Sequence, residues 1–462
     1  MNIVIVGAGE VGRNVAKTLS DEKHNIWLVD KDEAKIKDAQ NLDVKFVKGN
    51  GARPNVLAQA GVVPGCDIDM LIACTNRDEV NMLSCWIAHN SGIPYLISRA
   101  RNLEFTDSPD WGEKLGINLM ISPERSIARE IIGLLEVSAA THAAELLNGR
   151  AALYTLKISE NSPLVNMALK DIRPKFPDLM AVFVYVNHEN GEEGVPNGFT
   201  VLRANDVCYV VTYKKSAWLL QNLFQPEIGK KHTSLRKIFI IGGGKLGTQI
   251  AQKVRRDFGN VSMRIIEKDH KRCERLAEEF GDALVIEADG ADGAMLAEEG
   301  IENADGYICA TDSDELNLIY CAIAKKMGAK KTISIVKRKD YQNLTDCIKI
   351  DAIVDPNEAL ANVILRFARY PKHTLAFTMV EQINAEMLEF RMQPDNQFTG
   401  KTLMELKLPK GVIIALIGRG DEVLLPTGAT KILAGDHVIL FALTPMMPEY
   451  AKLFGAETKR ED

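Results

Sequence analysis

The sequence predicts an α/β fold of two tandem, doubly wound parallel sheets, each followed by a small α+β domain, and three observations carry that prediction. Short β-branched apolar runs alternate with helical patterns, and the alternation occurs twice along the 462 residues. A GxGxxG motif follows the first run of each half and opens a helix, at Gly7, Gly9 and Gly12 and again at Gly242, Gly244 and Gly247. The flanking residues repeat as well: NIVIVGAGEVGRNVAKT from Asn2 lies over KIFIIGGGKLGTQIAQK from Lys237.

In the first half the strand runs fall at 3–6, 26–29, 44–47, 70–74, 95–98 and 119–122, with helical patterns at 10–20, 32–40, 53–60, 78–90 and 108–114. Strand runs recur in the second half at 238–241, 263–266, 283–287, 306–310, 332–336 and 352–354. Runs this apolar belong to a sheet whose two faces are both covered by helices. The repeat continues past the glycines: TNRDEVNML from Thr75 matches TDSDELNLI from Thr311, and Gly51-Ala52 matches Gly290-Ala291.

Each sheet is followed by a helix, at 124–138 and 357–370, with the apolar faces Ile127, Ile131, Leu135 and Leu360, Ile364, Phe367. Such helices either brace sheet against small domain or close the core of their own sheet. Beyond them the texture changes to short strands with turn signals, at 179–186 and 207–212 in one half and 412–417 and 437–441 in the other. Pro196, Gly198 and Asp206 line up with Pro426, Gly428 and Asp436. The expected domains are therefore 1–122, a connecting helix 123–140, a small domain 141–226, a polar linker 227–236, a second sheet domain 237–356, a connecting helix 357–371 and a second small domain 372–456.

Composition narrows the function classes. A net charge of −6 gives no general affinity for a phosphate backbone, so no nucleic-acid partner is expected. The basic run KKMGAKKTISIVKRK from Lys325 reads as a solvated face with a strand through it. The eight cysteines form no CxxC pair, and no HExxH occurs, so neither a disulfide framework nor a metal site is expected. The start lacks the basic region of a signal peptide, and no apolar stretch reaches bilayer length; a cytoplasmic protein is expected.

The glycine motifs point to nucleotide binding. Gly7 permits a tight turn, Gly9 lets backbone approach a pyrophosphate, and Gly12 lets helix and sheet close together, while the helix N-terminus offers N–H groups to phosphate. Glu10 and Val11 complete this turn, as Lys245 and Leu246 complete the second. Asp30 ends the second strand, where its carboxylate can accept from an adenosine ribose and repel a 2′-phosphate; NAD(H) is expected in preference to NADP(H). Glu267 holds the equivalent position in the second copy, and its extra length could displace the ribose.

Further candidates lie at the carboxyl edges of the sheets, where ligands of such folds bind. Thr75 and Thr311 end the fourth strands, and Asn76, Asp78, Asp312 and Asp314 follow as candidate helix caps. Arg99 and Arg101, and Lys337 and Arg338 in the repeat, could meet phosphates or be ordinary surface cations. Asn50, Gly51, Asp289 and Gly290 form loops after the third strands that could face adenosine or serve as turns. No catalytic constellation recurs beside either nucleotide loop, so a binding protein is expected before an enzyme. The alternatives are a soluble NAD-dependent oxidoreductase and a nucleotide-responsive DNA-binding regulator, for which no basic helix-turn-helix exists.

The duplicated order of Rossmann-like unit, connecting helix and small domain, with the Gly-Ala loop and the TxxDExN signature, resembles the TrkA family of regulatory subunits of Trk potassium-uptake systems. The Rossmann-like units of that family are called KTN or RCK-N domains, and its small domains RCK-C. The resemblance covers essentially the whole chain. It implies a homo-oligomeric cytoplasmic ring, peripheral on the inner face of the membrane, docked on a membrane potassium-translocating subunit that NAD(H) or ATP/ADP regulates. Carried onto this sequence, Gly7, Gly9, Gly12 and Asp30, aided by Thr75 and Arg99 or Arg101, would form the first site. Gly242, Gly244, Gly247 and Glu267 would form the second.

Overall fold

The computed structural model describes residues 1–107, 109–229, 235–342, 348–369, 374–380 and 383–454. Two compact units emerge, and they do not coincide with the two halves of the repeat. One takes residues 1–126 together with the helix Pro356–Arg369; the other takes 127–355 and the described residues from 374 on. Half of the expected linker, 230–234, lies outside the described residues.

The first unit holds a six-stranded parallel sheet of β1 (Asn2–Val6), β2 (Asn25–Asp30), β3 (Lys45–Lys48), β4 (Met70–Ala73), β5 (Tyr95–Arg99) and β6 (Leu119–Ile121). Its order is β3-β2-β1-β4-β5-β6, so the chain reverses direction between β1 and β4. Ile3, Val4 and Ile5 are all fully buried, as a central strand covered on both faces requires. The helix Glu10–Asp21 buries Val11, Val15, Ala16 and Leu19, a stripe at helical spacing.

The helix Pro356–Arg369 corrects the sequence expectation. It closes the core of the first sheet, although it follows the second sheet in the chain. Leu360, Ala361, Ile364, Leu365 and Ala368 are buried, and Phe367 meets Tyr95 edge-on with ring centroids 6.2 Å apart. Arg369 pairs with Glu22 at the carboxyl end of the helix Glu10–Asp21. Pro356 opens the helix at a position where a missing N–H costs nothing.

In the second unit, β12 (Lys237–Ile241), β13 (Ser262–Glu267), β14 (Leu284–Glu287), β15 (Gly306–Cys309), β16 (Thr332–Ile335) and β17 (Ala352–Val354) repeat the first sheet in the order β14-β13-β12-β15-β16-β17. The helix Pro123–Glu136 supplies this unit with Ile127, Ile131 and Leu135, all buried. Gly306 opens β15 without a side chain because a Cβ there would come within 2.6 Å of Leu135 Cδ2. Beyond that helix, Lys331 lies fully buried and its ammonium donates to the carbonyls of Ser138 and Ala140 at 2.8 and 2.6 Å. The two connecting helices are therefore exchanged, each packing with the sheet of the other copy.

The small domains are antiparallel and five-stranded. One runs β10-β9-β11-β8-β7, built from β7 (Ala140–Leu146), β8 (Ala151–Lys157), β9 (Ala181–Asn187), β10 (Glu193–Gly194) and β11 (Val207–Tyr213). The other runs β18-β19-β22-β20-β21, built from β18 (Thr374–Val380), β19 (Ala385–Arg391), β20 (Val412–Arg419), β21 (Glu422–Leu424) and β22 (His437–Leu443), which is the same topology. They share one core: Leu146, Leu153 and Tyr185 pack in a single cluster with Met387, Leu416 and Phe441. Glu389, buried in that seam, accepts from the Leu147 amide at 2.9 Å and from His437 Nδ1 at 2.9 Å.

Candidate functional site

The first glycine loop leaves β1 with Gly7 at φ +113°, a backbone state that side chains avoid. Gly12 is needed for close approach, since a Cβ there would lie 1.8 Å from the Gly7 carbonyl oxygen. Gly9 differs from both. A Cβ on it meets nothing within 4 Å, and no side chain at the N-cap bonds the first amides of the helix Glu10–Asp21. That is the cradle a pyrophosphate requires.

Asp30 holds the loop from below. Its Oδ2 accepts from Ala8 N at 2.7 Å and its Oδ1 from Asp32 N at 2.9 Å. A carboxylate has about four acceptor positions, so Asp30 keeps capacity for a ribose hydroxyl. Asn50 is engaged in a turn, its Oδ1 accepting from Ala52 N at 3.0 Å, and Gly51 packs against Val6, where a Cβ would come within 2.3 Å of Cγ1. Both therefore shape the wall of the site.

At the carboxyl edge of β4 and β5 the organising residue is Asn81, the last letter of the TxxDExN signature. It is fully buried; its Oδ1 accepts from the Thr75 amide and hydroxyl at 2.9 and 2.6 Å, and its Nδ2 donates to the carbonyls of Thr75 and Arg99. The Thr75 hydroxyl is thus committed to the loop. Asp78, expected as a helix cap, accepts from the backbone N–H groups of Arg101 and Asn102 and pins the turn after β5. The cap position of its helix belongs to Arg77, without a side-chain bond.

Arg99 ends β5 with its Nε buried and lacking an acceptor, and burial pulls its guanidinium below the ordinary value while Glu124 opposes that shift. Arg101 Nε pairs with Glu124 at 3.1 Å. An arginine with a donor left over, beside an open glycine loop, fits an anionic ligand. Cys74, against the same loop, is pushed up to about 12 by burial and stays a thiol.

The second copy repeats this frame and changes its contents. Gly242 takes φ +99°, a Cβ on Gly247 would again lie 1.8 Å from the Gly242 carbonyl oxygen, and Gly244 again faces open space. Asn317 bonds Thr311 and the Ile335 carbonyl, and Asp314 accepts from the amides of Lys337 and Arg338. Ser313, not Asp312, caps the helix Asp314–Lys326.

Three substitutions alter the chemistry. Glu267 is buried and has all its acceptor positions in use: Gly243 N at 2.8 Å and Arg272 on Oε2, Lys268 N and Asp269 N on Oε1. Ile335 stands where the first copy has Arg99, so Lys337 matches Arg101. Tyr320 and Lys268 both bind the Asp289 carboxylate, at 2.9 and 2.8 Å, and Lys268 holds Asp289 down at about 2. Gly290 fits beneath Tyr320 because a Cβ would reach its ring at 3.1 Å.

The sequence reading missed the roles of Asn81, Glu124 and Tyr320; only Asn81 and its repeat Asn317 carried a signal, their shared place in the signature. In the basic run from Lys325, Lys325 pairs with Asp351 at 2.7 Å, Lys330 pairs with Asp305 at 2.8 Å and Lys331 is buried, so the run is not a wholly solvated face. The described cysteines are free thiols, and among the described residues no cluster of His, Cys, Asp or Glu could hold a metal.

Residues 3–123 and 238–356 match the TrkA-N domain, and residues 387–455 match the TrkA-C domain. The chain belongs to the TrkA family. The Trk system potassium uptake protein TrkA homolog 1 of Methanosarcina mazei is 34% identical over 462 residues, covering 98% of this chain and 100% of the relative. TrkA of Vibrio alginolyticus is 30% identical over 449 residues, covering 96% and 95%. Among solved structures, the GsuK RCK domain superposes with a TM-score of 0.60 at 19% identity, covering 99% of this chain and 95% of that one. The GsuK channel bound to NAD gives 0.61 at 19% identity, covering 99% and 79%. These superpositions establish the fold of the TrkA family and RCK proteins for the whole chain: two Rossmann-like sheets and two small α+β domains. Among the described residues no helix is long and apolar enough to cross a membrane.

Proposed function

We propose that this chain is a cytoplasmic nucleotide-sensing subunit that gates a membrane potassium-uptake channel or transporter by ligand-dependent conformational change, and that it is not an enzyme. The observation that carries this reading is the first glycine loop. An open Gly9, a half-committed Asp30 and an Arg99 with a spare buried donor lie along the carboxyl edge of one sheet. That set binds a phosphorylated adenosine ligand without offering it chemistry. Solution of the related-fold GsuK channel bound to NAD supports NAD(H) as the first ligand to test, with ATP and ADP beside it.

A ligand shifts a closed-to-open equilibrium only by the difference of its affinities for the two states. The exchanged connecting helices are the elements on which that difference would act. The chain would work as a homo-oligomeric ring on the inner face of the membrane, bound to a potassium-translocating subunit.

Calorimetric titration of NADH, ATP and ADP tests the reading, with Gly9→Asp and Gly244→Asp variants. Binding lost in Gly9→Asp and kept in Gly244→Asp is expected, because Glu267 has no acceptor position left for a ribose. Potassium flux in vesicles carrying the membrane subunit must then respond to the ligand. Turnover of a substrate with a change in nicotinamide absorbance would overturn the reading in favour of an oxidoreductase.

A further inference from the structure

Glu10 occupies the first helical position after Gly9, in the turn that would receive phosphate. The helix that begins at Pro356 reaches this turn from the other half of the chain. Asn357 Nδ2 donates to Glu10 Oε2 at 2.8 Å. The same pair of helices is tied again at the far end by Arg369 on Glu22, with Phe367 against Tyr95 beside it. The helix Glu10–Asp21 is thus a strut with the glycine loop at one end and an ion pair at the other, and the helix Pro356–Arg369 is fastened along it. Asn362, on that second helix, buries its Oδ1 without a partner, so this helix does not pack through apolar side chains alone.

The charge at this position is specific to the first copy. Lys245 stands at the first helical position of the second glycine loop, where its charge would favour phosphate. Glu10 does the reverse: its carboxylate and a bound phosphate are like charges competing for one helix N-terminus.

We infer that Glu10, positioned by Asn357, links occupancy of the first glycine loop to the helix Pro356–Arg369. A bound phosphate repels the Glu10 carboxylate, the bond to Asn357 is strained or broken, and the first turn of the connecting helix is released. By linkage, the Asn357 bond must weaken phosphate binding to the same degree. Asn357 is a positioning residue, acting through Glu10. This inference rests on the nucleotide reading above.

The test is a double-mutant cycle on the full chain with NADH and ATP as probes, read by calorimetry and by hydrogen exchange of residues 356–369. Asn357→Ala is expected to tighten both probes about threefold to tenfold, and to have no effect in a Glu10→Ala background. Glu10→Gln, which removes the charge and keeps an acceptor for Asn357, is expected to tighten them by a similar factor while leaving probe-dependent exchange in the first turn small. In the unaltered chain, NADH should speed exchange there. A merely structural bond would lower the thermal midpoint and leave affinity and probe-dependent exchange alone. Affinities unchanged by Asn357→Ala, or changed equally in the Glu10→Ala background, would overturn the coupling while leaving nucleotide binding intact. No binding of either probe by the unaltered chain would overturn the nucleotide reading itself, and the coupling with it.

Discussion

Asn81 gives one side-chain oxygen to both the amide and the hydroxyl of Thr75, at 2.9 and 2.6 Å, from a position with no solvent exposure. Its amide group closes the circuit onto the carbonyls of Thr75 and Arg99. Asn81→Ala strands several buried polar groups at once and is expected to destabilise the first unit by about 2–4 kcal/mol. Thermal unfolding followed by near-ultraviolet signal should show it, and Asn317→Ala should produce a comparable loss in the second unit.

The glycines of one motif should respond oppositely. Gly12→Ala places a methyl 1.8 Å from the Gly7 carbonyl oxygen and is expected to leave little folded first unit. Gly9→Ala adds a methyl to open space and should keep stability within about 0.5 kcal/mol while weakening nucleotide binding. Equal thermal losses in the two variants would contradict the loop geometry.

Gly243 has a different reason for being glycine. A Cβ there would lie 2.3 Å from Leu276 Cδ1 and 3.3 Å from Glu267 Oε2. Gly243→Ala should therefore cost about 1–3 kcal/mol by overpacking. The paired change Leu276→Ala should restore part of it, measured as non-additivity in denaturant midpoints.

Lys331 makes a pH prediction. Burial lowers its ammonium to about 8, with Asp351 opposing and Lys325 assisting that shift. Between pH 8 and the ordinary value near 10.5 the unfolded chain binds the extra proton and the folded one does not, so stability from this group rises with pH across that window. The span bounds the gain at roughly 3 kcal/mol. Below pH 8 both states are protonated and the contribution is flat. Subtracting melting curves of Lys331→Met from those of the unaltered chain should reveal the rise, and a flat difference from pH 7 to 10.5 would contradict it.

The sheets were legible because a strand such as Ile3–Val6, apolar at every position, admits little besides a doubly covered parallel strand. Gly7, Gly9 and Gly12 announced the loop for a similar reason, since only backbone demands put glycines at that spacing after a strand. What stayed hidden depends on contacts distant in sequence. The strands at 140–146 and 151–157, ATHAAEL and AALYTLK, are rich in alanine and carry little β signal; they form by pairing with each other and by the shared core of the small sheets. The match of Arg99 to Ile335 rather than to Lys337 was hidden by the short, variable turn after the fifth strand. The common bonds from Asn81 to Arg99 and from Asn317 to Ile335 fix the register, and those of Asp78 to Arg101 and Asp314 to Lys337 agree with it. The saturation of Glu267 needed the folded positions of three backbone amides.

The exchange of connecting helices makes the repeat something other than two beads on a string. A chain cut at the 227–236 linker would yield an amino-terminal fragment whose sheet lacks Leu360, Ile364 and Phe367, and a carboxyl-terminal fragment whose sheet lacks Ile127, Ile131 and Leu135. Neither piece would be complete, yet each would carry the wall the other is missing. Fusion of the copies has made this mutual dependence intramolecular, which fixes the partnership of unlike copies at one to one whatever the protein concentration. Under that guarantee Asp30 could keep acceptor positions open while Glu267 turned inward and filled its own.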